Sequence, residues 1–196
     1  MDILEQFRNQ AKQLQKTIVL PEGGDARILN AAEVICKEKL AKLIILGDVK
    51  AISAKLAGLD GYTAIDPKAD SRAEEFAKTY FKLREGKKGA ESMEESLALM
   101  HSELFFATML VREGMADGCL AGIANTTSAV LRAALRTINK TSGIKTISSN
   151  FIMATPRKDL GADGTFLFAD CAVNPDPDAE QLADIAIPTA ENCRRL

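Results

Sequence analysis

A chain of 196 residues with 46% apolar and 27% charged residues can bury a full core and has the make-up of an ordinary globular protein. A net charge of −2 without a long basic run, 5% aromatic residues and no tryptophan exclude an electrostatic or base-stacking nucleic-acid binder. No apolar run approaches bilayer length, and the charged, amphipathic N-terminus has no signal-peptide core. Cys36, Cys119, Cys171 and Cys193 show no paired spacing and His101 is the single histidine, so neither a disulfide framework nor a metal site is expected; reduced thiols in a cytoplasmic protein is the economical reading.

In chain order, Asp2 to Gln15 carries Ile3, Leu4, Phe7, Ala11 and Leu14 at helical spacing, which predicts an opening helix. Thr17 to Leu20 reads as a short strand stopped by Pro21-Glu22-Gly23-Gly24. Asp25 then caps a helix to about Glu38, with Ile28, Leu29, Ala32 and Ile35 inward. Leu43 to Leu46 is continuously apolar, as strands covered on both faces tend to be. A helix from Gly47-Asp48 to about Leu56 and a weaker strand, Tyr62 to Ile65, complete a β-α-β-α-β opening, the pattern of a doubly wound parallel sheet. Ser71 to Arg84 is a further helix, ended by the basic loop Gly86 to Gly89. Glu91 to Arg112 reads as one long helix with Leu97, Met100, Leu104, Thr108 and Val111 inward. His101 lies beside that stripe without a matched nucleophile or carboxylate, and is read as structural.

The run Gly114 to Arg132 is the most informative. Cys119 to Ala121 reads as a buried strand ending at Gly122. The polar corner Asn125-Thr126-Thr127 opens an amphipathic helix from Ser128 to Ile138, with Val130, Leu131, Leu135 and Ile138 on one face. A helix start placed there aims unpartnered N–H groups at the carboxyl end of a parallel sheet, a natural anion site. Arg132, a turn in, leans back toward the same place. On local pattern alone the plainer reading leads: Thr126 or Thr127 simply caps the helix and Arg132 is a solvated charge.

Beyond Gly143 the pattern changes. Thr146 to Met153 and Thr165 to Val173 are β-rich runs joined by Ala154 to Gly164, a hairpin-like pair with a long connection. Asn174-Pro175-Asp176-Pro177 caps a last helix toward Asn192, which Pro188 should end or kink. A hairpin and one helix cannot close a core of their own, so Phe166, Phe168 and Ile185 should be partly exposed. The fold class is therefore α/β: a three-layer αβα, doubly wound, mostly parallel sheet over residues 1–143, then the beginning of a second α/β domain over 144–196.

Four stretches together resemble the phosphate acetyltransferases of the phosphate acetyl/butyryl transferase family: Leu20-Pro21-Glu22-Gly23 with Asp25 and Arg27; Leu83-Arg84 with the Gly86 to Gly89 loop; Gly114 to Gly118 through Asn125-Thr126-Thr127 to Leu131-Arg132; and Phe168 to Pro175. The resemblance runs end to end, whereas the dinucleotide fingerprint and the Walker loop are absent. It implies a cytoplasmic, homodimeric enzyme of two α/β domains converting acetyl-CoA and phosphate to acetyl phosphate and CoA by direct transfer in a ternary complex. It implies no permanently bound cofactor, CoA and acetyl-CoA being substrates, and neither nucleic-acid nor membrane partners. By resemblance, Arg84 binds CoA, Arg132 holds phosphate oxygens in the cleft as the catalytic residue present, and Asn125, Thr126 and Thr127 form the phosphate-side loop. Cys171 lines the cleft rather than attacking, Asn174 is the polar group of that wall, and Glu22 and Arg27 pin the first loop. Family members are longer, and their thiol base and serine–arginine pair have no counterpart among these residues. This chain is thus read as the N-terminal portion, supplying part of an active site and inactive alone. Butyryl transfer and a non-catalytic acyl-CoA- or acetyl-phosphate-binding module remain as alternatives.

Overall fold

The structure is a computed structural model that describes residues 3–86, 92–138, 140 and 143–195. Its contacts divide the chain into two compact units, residues 6–139 and residues 140–196 with the first five. After the opening helix α1 (Ile3–Leu14), the first unit contains β1 (Thr17–Leu20), α2 (Ala26–Glu38), β2 (Lys42–Leu46), α3 (Val49–Lys55) and β3 (Tyr62–Ile65). It continues with α4 (Arg72–Arg84), α5 (Met93–Met100), α6 (Glu103–Arg112), β4 (Gly118–Cys119) and α7 (Thr127–Thr137). The four strands are all parallel in the order β3-β2-β1-β4.

Alternation along the strands explains the layers. On β1 and β2, Ile18, Leu20, Leu43 and Ile45 join Ile28, Ala32, Cys36 and Ile52 of α2 and α3 in one apolar cluster. Val19, Ile44 and Leu46 point the other way, into a second cluster built by α4 to α7 around Phe76, Tyr80, Phe106 and Leu110. Side chains of period two thus feed two cores, which is why β2 is apolar without a break. In the second core, Phe76 and Phe106 lie 5.1 Å apart between ring centroids, and Tyr80 meets Phe105 edge-on.

Three expectations are corrected here. The expected helix from Glu91 to Arg112 is two helices among the described residues, broken at His101-Ser102, with Glu91 itself outside them. Ser102 is extended and its carbonyl accepts from Phe106 N, so it starts a new helix without glycine or proline to announce it. Every residue of α6 from Leu104 to Leu110 is buried, so it has no single stripe to continue from α5. The buried strand Cys119 to Ala121 shrinks to Gly118–Cys119, half-buried, with Leu120 61% exposed. One further bond, Leu120 N to Val19 O, closes the ladder before the chain turns away. Finally, α7 buries Ala133 and Thr137, while Leu135 is 48% exposed and Leu131 only half-buried. Small residues let α7 lie close to α6, and the Arg112 guanidinium fixes its end by donating to Thr137 O.

In the second unit, β5 (Asn150–Ala154) and β6 (Thr165–Ala169) form an antiparallel hairpin in which Phe151 opposes Phe168, followed by α8 (Ala179–Arg195). Asp178 and Gln181 cap α8 reciprocally, each side chain accepting the other's backbone N–H. Asp184 takes the N–H groups of Lys145 and Thr146, fastening α8 to the approach to the hairpin. Two expectations are tested here. Pro188 does not end α8, which runs to Arg195, and the Thr189 hydroxyl donates to Ile185 O in the same turn. Ile185, expected to be partly exposed, is buried, the one such residue of α8. Phe166 is half-buried and Phe168 is 55% exposed.

Candidate functional site at the β4–α7 corner

The chain moves outward from β1 to β2 to β3 and then crosses back to place β4 on the other side of β1. The carboxyl ends of β1 and β4 therefore form the switch point, where open parallel sheets leave a crevice for ligands. Two loops meet there, Pro21-Glu22-Gly23-Gly24 after β1 and Leu120 to Thr126 after β4.

The first loop is held against the sheet. Gly23 donates to Leu46 O at 3.0 Å, and a Cβ on it would fall 2.5 Å from that oxygen and 2.8 Å from Ile45 Cγ2. Only glycine lets the backbone pass so close. This puts Glu22, 4% exposed, beneath the second loop. Its Oε2 accepts from Gly122 N (2.9 Å) and Ile123 N (3.0 Å), and its Oε1 from Ala124 N (2.9 Å), Asn125 N (2.8 Å) and Asn125 Nδ2 (2.9 Å). Gly122, at φ +110, provides the turn that lets consecutive amides converge. Burial pushes the Glu22 carboxyl up, but the N–H groups of Ile123, Ala124 and Asn125 outweigh it and bring its pKa from 4.5 down to about 2. Arg27 grips the loop from outside, donating to Ile123 O at 3.1 Å while its guanidinium is paired with Asp25.

The loop amides from Gly122 to Asn125 are therefore engaged by Glu22, ahead of the helix start at Thr127 where the sequence placed unpartnered N–H groups. Thr126 caps α7, its hydroxyl accepting from Ala129 N and sharing a hydrogen bond with Ser128 Oγ. What the corner exposes is Thr126, Thr127, Ser128 and, one turn on, Arg132, which has no hydrogen-bond or ion-pair partner among the described residues. Cys119 is no nucleophile: burial and then the charge of Glu22 push its thiol up to about 11. On the rim, burial raises the pKa of half-buried Glu103; Lys68 opposes this, and the charges of Asp66 and Glu22 add to it. That side is dominated by carboxylates, so an anion is favoured only on the α7 side.

Arg84 is the last residue of α4, half-buried, and most of its Gly86 to Gly89 loop lies outside the described residues. Cys171 and Asn174 belong to the other unit. Cys171 sits in the loop after β6 rather than in a strand, with its thiol donating to Phe168 O. The side-chain amide of Asn174 donates to Ile147 O and to Asp170 Oδ2. Asp170, quoted in the sequence but given no role, is the centre there, accepting from Ser149 N, Ser149 Oγ, Ala172 N and Asn174 N. Burial pushes its carboxyl up, and these donors reverse that to hold it well below the usual carboxylate range. The signal for both acids was one carboxylate directly beyond a strand.

A two-sided parallel sheet with a polar corner at its switch point defines a three-layer α/β protein. The chain belongs to the phosphate acetyl/butyryl transferase family: the family model described as "Phosphate acetyl/butaryl transferase" matches residues 2–196. The phosphate acetyltransferase of Clostridium acetobutylicum is 40% identical over 200 residues, covering 100% of this chain and 60% of that protein. That of Thermoanaerobacterium thermosaccharolyticum is 38% identical over 198 residues, with the same coverage. A phosphotransacetylase from Streptococcus pyogenes superposes with a TM-score of 0.87 at 31% identity, over 98% of this chain and 57% of that one. The chain spans about 60% of the length of these two curated relatives. Among the described residues no helix is long and apolar enough to cross a membrane, and no cluster of His, Cys, Asp and Glu could hold a metal ion.

Proposed function

We propose that this chain supplies the phosphate side of an acyl-transfer centre interconverting acetyl-CoA and phosphate with CoA and acetyl phosphate. A phosphate oxygen attacks the thioester carbonyl, a tetrahedral oxyanion forms, the C–S bond breaks and CoA leaves as thiolate. The observation that carries the reading is Arg132, without a hydrogen-bond or ion-pair partner among the described residues, beside the exposed start of α7 in a chain of this family. A guanidinium there can hold two phosphate oxygens, with the Thr127 and Ser128 amides and hydroxyls adding donors. Arg84 is assigned to CoA, Asn125, Thr126 and Thr127 to the phosphate loop, and Cys171 and Asn174 to substrate or CoA binding. CoA is a substrate in this scheme and no resident cofactor is needed. We place a domain boundary near Gly143, which the division of contacts at 139/140 supports. Cytoplasmic location is supported by four free cysteines, and a homodimer by the exposed apolar hairpin.

The test is titration of the 196-residue chain with acetyl phosphate, followed by amide resonances, beside an assay of phosphate-dependent CoA release. Acetyl phosphate should shift the Thr127 and Ser128 amides. Arg132→Gln should weaken binding by about one to two orders of magnitude, a charge-assisted hydrogen bond being worth roughly 1.5–3 kcal/mol. Arg132→Lys should recover part of that and Arg136→Gln should match wild type. Release of CoA should run at least about a hundredfold slower than with a phosphotransacetylase relative, since removing a catalytic base costs roughly two to four orders of magnitude. Equal losses at Arg132 and Arg136 would make Arg132 a solvated charge.

A further inference from the structure

The corner at the switch point is built like an anion receptor, and its anion is already part of the chain. Consecutive N–H groups from Gly122 to Asn125, plus the Asn125 side-chain amide, converge on one carboxylate that is almost wholly removed from solvent. Each oxygen takes at least two donors, so both are engaged at distances of 2.8–3.0 Å. The backbone commits to this arrangement through the positive φ of Gly122, where a side chain would meet no atom within 4 Å and only the conformation calls for glycine. Arg27 completes the clamp by donating to Ile123 O. The loop after β1 serves the same end, since Gly23 must pass against Leu46 for Glu22 to lie beneath the corner.

We propose that Glu22 is a resident anion: it fills the nest at the β1/β4 switch point for good and is the positioning residue of the corner. Substrate anions are then excluded from the Gly122 to Asn125 amides and are left with Thr127, Ser128 and Arg132. Asn125 acts with one N–H already spent on Glu22, which fixes the plane of its amide and leaves its second N–H as the donor to present. This last assignment rests on the phosphate-side reading of the corner; the filling of the nest does not.

Chemical rescue tests the proposal. Glu22→Ala empties the nest without adding a polar group, leaving four backbone donors without their acceptor. Its Tm should fall. Formate, a bare carboxylate, should then raise the Tm of the variant saturably and by at least about three times the rise it gives wild type, as expected of a ligand bound by the folded state alone. Sodium chloride at equal ionic strength should not. Equal formate responses in the two proteins would overturn the proposal. Should Glu22→Ala fail to fold, Glu22→Gln keeps the shape but turns an N–H2 toward the loop's own N–H groups. Its amide resonances at 122–125 should shift more than any others in residues 6–139, and unmoved resonances there would refute a nest organised by the carboxylate. Formate rescue reads the nest alone, and acetyl phosphate titration of wild type reads the substrate site alone, so either can fail by itself.

Discussion

Glu22 in the first unit and Asp170 in the second use the same device in different surroundings. Each is a carboxylate just beyond a strand that gathers N–H groups from a nearby loop, and each is held below the ordinary carboxylate range by those donors against the pull of burial. Around Glu22, both faces of the sheet are covered, with Val19, Leu20, Ile45 and Leu46 at most 1% exposed. Around Asp170, the hairpin leaves the cross-strand pair Phe151 and Phe168 at 59% and 55% exposure, with Ile152 and Met153 also exposed. Polar fastening sets where a loop goes; the number of layers decides whether the strands beside it are buried. A two-stranded hairpin with one helix supplies too few layers.

The largest expected effect falls on the well-covered unit. A carboxyl with pKa 4.5 unfolded and about 2 folded contributes about 3 kcal/mol of stability, from roughly 1.4 kcal/mol per unit. Because the folded value is depressed, that contribution is complete above pH 4.5 and fades as the pH falls from 4.5 toward 2. Chemical denaturation of wild type and Glu22→Gln across this window should show a difference of about 3 kcal/mol at pH 6 that closes by about pH 2. Asp25 and Asp170 also titrate low, so only the difference between the two proteins isolates Glu22. A gap independent of pH would separate the two carboxylates in kind rather than in setting.

The smaller effect belongs to the hairpin. Replacing Phe151 and Phe168 with threonine, which suits strands, should change unfolding stability by less than about 0.5 kcal/mol, because exposed side chains lose little burial. The same change should reduce both self-association in sedimentation and the binding of an apolar fluorescent dye. Undiminished dye binding would mean that the exposed aromatic pair is not the adhesive surface, and that the contrast between the units has another source.

Most of the architecture was legible because it obeys short-range rules. The apolar run Leu43 to Leu46 gave a strand covered on both sides, and Asp25, Asp48 and Thr126 marked helix starts where their side chains do accept backbone N–H groups. Errors arose where tertiary packing decides. Nothing local in His101-Ser102 announces a helix break when α6 is buried all round, and Pro188, expected to end or kink α8, does not end it. What the sequence did not show is that Glu22 takes the loop amides ahead of the helix start, because it lies about a hundred residues away in sequence. Its neighbours Pro21 and Gly23 showed a tight loop, but only the parallel pairing of β1 with β4 brings that loop under Gly122.

Amide hydrogen exchange at Gly122 to Asn125 bears most directly on the claim that this corner is closed by the chain itself. In wild type at neutral pH these four amides should exchange slowly although their loop borders solvent, since each donates to a buried carboxylate. In Glu22→Gln their protection should drop by about tenfold or more while amides of β1 and β2 keep theirs, one tenfold step corresponding to about 1.4 kcal/mol of lost local stability. Fast exchange at 122–125 in wild type, or protection there untouched by the substitution, would contradict it.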